Sequence, residues 1–346
     1  MSRKSIIVGA VVAAAIVISV AFSSASSLDT TFSNTVRIGY FPNISHAQAL
    51  VGAANGTFEQ ALGDTRVEYK IFNAGPASIE ALFTDQVDIV YVGPNPAING
   101  YIRTDGEGLR VIAGAASGGV LFVVRTDSGI DSAGDLYGKK LAAPQYGNTQ
   151  DISLKSYIIE NDLRLAEHGG SVYVLSAKSP DTVLLFLKKE IDGAWVPEPW
   201  GTILVKDAGG RIFLDERDLW PEGEFATTLV VARSEFLEEH PDLVGKVLEA
   251  HVETTLWINE HPEQAQEIVR AQLKNIMGQE LPEDVIRDSF PTMEFTYRPM
   301  EFSLFEFAER AYDLGMLGRE KPEIADIYYA ATLNDVLLQK NLSIVE

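Results

Sequence analysis

Residues 74–99 read AGPASIEALFTDQVDIVYVGPNPAIN, and this stretch decides how the chain is to be folded. Pro76 opens a helical run to Thr84, a turn follows, and residues 87–92 form a short apolar, β-branched run of strand type. The strand ends in Gly93-Pro94-Asn95-Pro96, immediately before another helical start. In an α/β sheet the mouth at the carboxyl end of a strand is where small ligands collect. Pro94 and Pro96 stiffen that mouth, and Asn95 is a good N-cap, leaving backbone N–H groups free to face a guest.

Working outward, residues 179–200 (SPDTVLLFLKKEIDGAWVPEPW) repeat the device as Pro-started helix, acid-containing turn, strand and Pro-x-Pro mouth. Pro76 to Asp88 and Pro180 to Asp192 have the same spacing. Two such α/β units facing each other make two lobes around a cleft. Strands at residues 36–39, 67–72, 87–92 and 109–113, alternating with helices, predict a largely parallel first sheet. Asn43 or Ser45 caps the helix that carries His46, whose first-turn position aims it at the cleft.

Ser117-Gly118-Gly119 breaks the chain, and the strand after it, 120–125, crosses into the second lobe. There the strand 140–143 opens into PQYGNTQD (144–151), where Gly147 permits close backbone approach and Asn148 or Thr149 caps a helix. A helix N-terminus at a strand mouth is the preferred geometry for an oxyanion. Strands at 171–175, 193–196 and 211–214 complete the second sheet, and 227–231 forms the return crossing. From Ser234 onward proline-started helices dominate.

At 346 residues the chain accommodates two lobes. With 28 basic against 49 acidic residues, it is not a nucleic-acid binder. No cysteine is present, so disulfides, thiolate metal sites, cysteine nucleophiles and lipidation at an N-terminal cysteine are excluded. The five histidines form no H-E-x-x-H pair, and neither a G-x-S-x-G elbow nor a P-loop occurs, so the chain is read as a non-enzyme without a cofactor. Residues 1–27, with Arg3-Lys4 ahead of an apolar run 6–22 that would span about 26 Å as helix, are read as a cleaved signal peptide or a retained N-terminal anchor. Residues 28–35 are a flexible linker. Both readings place the folded part outside the cytoplasm. Tyr40, Phe41, Tyr91, Tyr146, Trp195 and Trp200 fall at or beside strand ends and offer stacking surface to a small organic ligand, with Trp200 the leading candidate.

The phrases GYFPNISHAQAL (39–50), FNAGPASIEAL (72–82), VGPNPAING (92–100), PQYGNTQD, WVPEPWG (195–201) and DERDLWPEG followed by FATT (215–228) run in one order. In them the chain resembles the periplasmic solute-binding proteins of ABC transporters for nitrate, aliphatic sulfonates and taurine. That resemblance implies a type II periplasmic-binding-protein fold: residues 36–119 and 232–346 as lobe 1, residues 120–231 as lobe 2, and two crossing hinge strands. It implies an oxyanion held by Gly75, Ala77, Asn95, Asn148, Thr149 and Gln150, with Tyr40, Asn43, Glu198 and Trp200 lining the rest, and His46 joins them by its first-turn position. The partners it implies are a small anion or sulfonate and the permease's transmembrane subunits, the protein itself being a monomer. Glu198 or Asp151 would pair with an ammonium in an amino-sulfonate such as taurine. The alternatives are a thiamine-precursor-type pyrimidine on the same fold, or an enzyme of that fold, whose cysteine-rich motif is missing here.

Overall fold

The computed structural model describes residues 35–345. The leader reading (1–27) and nearly all of the linker (28–34) lie outside the described residues. Thr35, the linker's last residue, already pairs with Arg66 as the first residue of strand β1 (Thr35–Tyr40). Among the described residues no helix is long and apolar enough to cross a membrane.

Eleven strands form two sheets among the described residues. The first contains β1, β2 (Arg66–Ile71), β3 (Ile89–Val92), β4 (Leu109–Gly118), β10 (Ala226–Arg233) and β11 (Met293–Phe295), in the order β11-β4-β10-β3-β1-β2. The second contains β5 (Val120–Arg125), β6 (Lys140–Ala143), β7 (Tyr173–Ser176), β8 (Gly193–Pro197) and β9 (Gly210–Asp215), in the order β7-β6-β8-β5-β9. The α/β two-sheet expectation therefore holds.

The two sheets are mixed, where alternation of strands and helices suggested a largely parallel arrangement. β1 runs parallel to β2 and β3, and β6 parallel to β7 and β8. The strands flanking the crossovers run against them: β10 is antiparallel to β3 and β4, and β5 to β8 and β9. These strands come from the other sheet without a crossover helix, so nothing obliges them to be parallel. The return strand also differs from expectation, because all of Ala226–Arg233 pairs within the first sheet. The chain thus leaves the second sheet after Asp215, well before residue 231.

The repeated turn acid is a clamp. Arg37 N–H donates to Asp88 Oδ2 at 2.8 Å, and Asp88 N–H donates back to the Arg37 carbonyl at 2.9 Å. In the second copy Lys140 N–H donates to Asp192 Oδ2 at 2.9 Å, and Asp192 N–H returns to the Lys140 carbonyl at 2.6 Å. Asp88 is also ion-paired with Arg37 and Arg233, and Asp192 with Arg125. Each acid thus locks the start of one parallel strand to the start of its neighbour. Strands of fixed start and similar length then end together, and so the mouths at their carboxyl ends are lined up.

Gly118 and Gly119, between the sheets, adopt positive φ of 71° and 66°, a conformation that side chains resist. Gly114 on β4 serves a close approach: a Cβ there would stand 1.8 Å from the Arg298 carbonyl oxygen. The helices Ala47–Asn55, Pro241–Glu260 and Pro262–Met277 cover one face of the first sheet around Val36, Ile38, Ile89 and Val230. The Glu301–Asp313 helix inserts Leu304 and Phe307 into a core shared by both sheets.

Candidate functional site

A cavity of about 40 Å³ lies where the strand mouths of the two sheets meet. The first sheet contributes Phe41 after β1, Asn73 after β2, Gly93 after β3, and Thr227 and Thr228 on β10. The second contributes Pro144 after β6 and Pro197 at the end of β8. Both copies of the repeated mouth therefore face one space. Between them stand Asn148, Thr149 and Gln150, the N-cap and first turn of the Thr149–Glu160 helix.

That helix start is poised for an acceptor. Asn148 makes no side-chain capping bond, so it does not consume the first-turn N–H groups that an α-helix leaves without intrahelical partners. The Thr149 hydroxyl lies between the sheets and accepts from the Asn95 N–H at 3.4 Å. On the opposite wall the Thr228 hydroxyl is buried with no hydrogen-bond partner. Thr227 donates instead to the Gly118 carbonyl at 2.6 Å, tying the return strand to the glycine pair between the sheets. Ser45 donates to Asn43 Oδ1 at 2.8 Å, which fixes the turn after β1.

His46 lines the cavity as expected, its ring 4.6 Å from that of Phe41 and its Nδ1 accepting from the Phe41 N–H at 3.4 Å. Burial drives its pKa down to about 3, so it is neutral at physiological pH. No charged side chain lines the cavity.

Of the residues singled out by sequence, Phe41, Asn43, His46, Asn148, Thr149 and Gln150 come together here. The others go elsewhere. Tyr40 shares the buried face of β1 with Val36 and Ile38, because alternation along the strand turns it into the core and leaves Phe41 at the cavity. Asn95 is not the N-cap: Gly93 holds that position, Pro94 follows, and the Asn95 amide donates to the Phe307 carbonyl at 3.3 Å. Gly75 packs instead against Pro96, where a Cβ would stand 2.2 Å from Cγ and 3.1 Å from Asn148 Oδ1. Ala77 lines a second cavity of about 400 Å³ that shares Asn73 and Pro144 with the first.

Glu198 is fully buried, with its carboxylate accepting from the Thr202 N–H at 3.0 Å and hydroxyl at 2.9 Å. These bonds close the start of the Trp200–Asp207 helix. Trp200 packs against the apolar cores on both sides. Asp151 is held by the Gly147 N–H at 3.0 Å and Lys155 Nζ at 3.1 Å. Both bonds are to Asp151 Oδ2, and its Oδ1 is buried with no hydrogen-bond partner. Tyr91 bonds His251 Nδ1 at 2.9 Å, and Trp195 donates to Glu216 Oε2 at 2.6 Å, so both rings are core. Tyr146 is exposed beneath Lys155. Among the described residues no group of three or more His, Asp or Glu side chains is placed to hold a metal.

Asn73, Ser179, Thr227 and Thr228 also line the cavity without having been singled out. The Thr-Thr pair ending the FATT phrase was the available signal, but its direction depends on the pairing of β10 with β3 and β4.

Comparison with known proteins bears on the family and the fold. The NMT1-like family matches residues 30–273, well over half of the chain. The chain belongs to that family. This NMT1-like protein is 27% identical over 197 residues to the taurine-binding periplasmic protein of Escherichia coli, covering 57% of this chain and 58% of the relative. In structure it is similar to the alkanesulfonate-binding protein SsuA of Xanthomonas axonopodis pv. citri bound to MOPS. The TM-score is 0.72 at 17% identity, over 86% of this chain and 99% of that one. It is equally similar to the periplasmic nitrate-binding protein NrtA of Synechocystis PCC 6803, with a TM-score of 0.75 at 15% identity, over 88% and 89%. The NMT1-like chain thus has the periplasmic-binding-protein fold, as the sequence motifs implied.

Proposed function

We propose that this protein is the extracytoplasmic solute-binding component of an ABC importer, and that it holds the oxyanion head of a small sulfonate or nitrate between the strand mouths. One observation carries the reading. The Thr149 and Gln150 N–H groups at the start of the Thr149–Glu160 helix and the unpartnered Thr228 hydroxyl converge on one cavity that has no acidic lining. In a chain of net charge −21, an acid-free pocket of amides and hydroxyls is the local arrangement an anion needs. Asn148, Thr149, Gln150 and Thr228 bind the head, with Asn43, Asn73 and His46 closing around it.

The family resemblance and the names of the relatives support an importer's binding protein serving transmembrane permease subunits as a monomer. Residues 1–27 supply the export signal or tether in this reading. A pyrimidine ligand fits less well. Of the six rings offered for stacking, only Phe41 lines this cavity; Tyr40 is buried in the core and Trp200 is half-buried against it.

Thr149→Ala and Thr228→Val are each expected to weaken sulfonate binding by at least about tenfold, since a hydrogen bond to a charged group contributes about 1.5–3 kcal/mol. Calorimetric titration against a sulfonate, nitrate and a pyrimidine is the check. Wild-type affinity in both variants would place the oxyanion elsewhere.

The lobes in this reading are the two sheets with their helices, hinged at Gly118-Gly119 and between Asp215 and Ala226. Rotation there closes the cleft on ligand. Small-angle scattering is expected to show a smaller radius of gyration at saturating ligand; superimposable curves would argue for a rigid receptor.

A further inference from the structure

The second cavity extends the first through their common residues Asn73 and Pro144. Its walls are Ile71, Phe72, Ala74 and Ala77 on one side, and Gln145 and Lys178 on the other. The first four offer apolar surface suited to methylene groups. Lys178 is the only charged residue lining either cavity, it is exposed, and among the described residues it has no ion-pair partner. Acids are the commonest charged groups of this chain, yet none lines either space. The two cavities together therefore accept an anionic head, then a short apolar arm, then a group that tolerates or seeks a cation.

Resting on the sulfonate reading above, we propose that the ligand carries a second anionic group at the far end of a short aliphatic arm, seated against Lys178. The ligand class is a sulfocarboxylate or disulfonate. An amino-sulfonate is disfavoured, because its ammonium would meet Lys178 and no acid lines either cavity. The charge pair at Lys178 is half in water, so its effect is moderate and falls with salt.

Three ligands of similar length separate the terms: propane-1-sulfonate, 3-aminopropane-1-sulfonate and 3-sulfopropanoate, titrated calorimetrically against wild type and Lys178→Gln at low salt. 3-Sulfopropanoate is expected to bind wild type three- to tenfold more tightly than propane-1-sulfonate, and the amino compound more weakly than both. Lys178→Gln is expected to abolish the preference while leaving propane-1-sulfonate within about twofold, since an exposed side chain contributes little to the fold. Propane-1-sulfonate binding with no advantage for 3-sulfopropanoate, or an advantage that survives in Lys178→Gln, overturns the inference and leaves the sulfonate reading standing. Failure of all three to bind overturns both.

Discussion

Gly93→Val is expected to abolish ligand binding, a loss of at least about a hundredfold or 2.7 kcal/mol, in a protein that still folds. Gly93 has φ −71° and ψ 161°, extended backbone that any residue adopts, so the substitution meets no backbone strain. What it meets is the site. A Cβ at this position would stand 2.6 Å from Thr149 Oγ1, 3.5 Å from Thr149 Cβ and 3.6 Å from the Thr227 carbonyl oxygen. The Thr149 hydroxyl must then turn away, and the two γ-methyls of valine project into a cavity of only about 40 Å³. Both the volume for the head and one of its hydrogen-bond partners are removed together. Overpacking of this kind costs about 1–3 kcal/mol of stability, which a protein of this size tolerates. Calorimetric titration, with a thermal melt to show that the variant is folded, is the check. Gly93→Ala, which carries the clash without the γ-methyls, is expected to fall between the two. Near-wild-type affinity in a folded Gly93→Val would mean that the head does not sit between the strand mouths.

That Gly93 and Pro197 face one cavity was legible in the sequence, because the two Pro-started units carry the same spacing to their turn acids. Asp88 and Asp192 turn out to be the reason the spacing matters: each ties two strand starts together, and the strand ends follow. Legibility stopped where a side chain's direction depends on partners far along the chain. The aromatic pair Tyr40-Phe41 announces a ring at the mouth of β1, but strand parity selects Phe41. Asn95 has the chemistry of an N-cap, yet the extended Gly93 starts the helix two residues earlier and turns the amide toward Phe307. Thr228 was invisible as a cavity residue because only the pairing of β10 with β3 and β4 directs its hydroxyl. Glu198 shows how far type alone reaches. An acid beside a strand mouth suggests an ammonium partner, and only the fold reveals that it is buried on the Thr202 N–H and hydroxyl.

The buried position of Glu198 has its own measurable consequence: Glu198→Gln is expected to stabilise the protein at pH 8 by about 2–3 kcal/mol and to leave it nearly unchanged at pH 5. Burial is the main cause, lifting the carboxyl from 4.5 to about 7, and the charge of Asp215 adds to it. The Thr202 N–H and hydroxyl, together with the Ser289 hydroxyl, pull the other way and do not win. Between pH 4.5 and 7 the folded protein therefore keeps a proton that the unfolded chain has released. Stability from this group is fully present below pH 4.5 and is lost as pH rises through 7, the opposite of an ion-paired carboxylate. Glutamine preserves the geometry without the titration, its amide oxygen accepting from the Thr202 N–H and its NH₂ donating to the Thr202 hydroxyl. His46 and His251, pressed by burial to about 3 and about 4, destabilise the fold on the acid side instead. They are present in both proteins, so they cancel in the difference. Denaturant titrations of wild type and variant at pH 5, 6, 7 and 8 read that difference directly. Parallel stability curves across the range would mean that the carboxylate is ionised and solvated in the native protein. Curves that diverge as pH rises would show instead that the folded protein holds a proton on the buried Glu198 carboxyl.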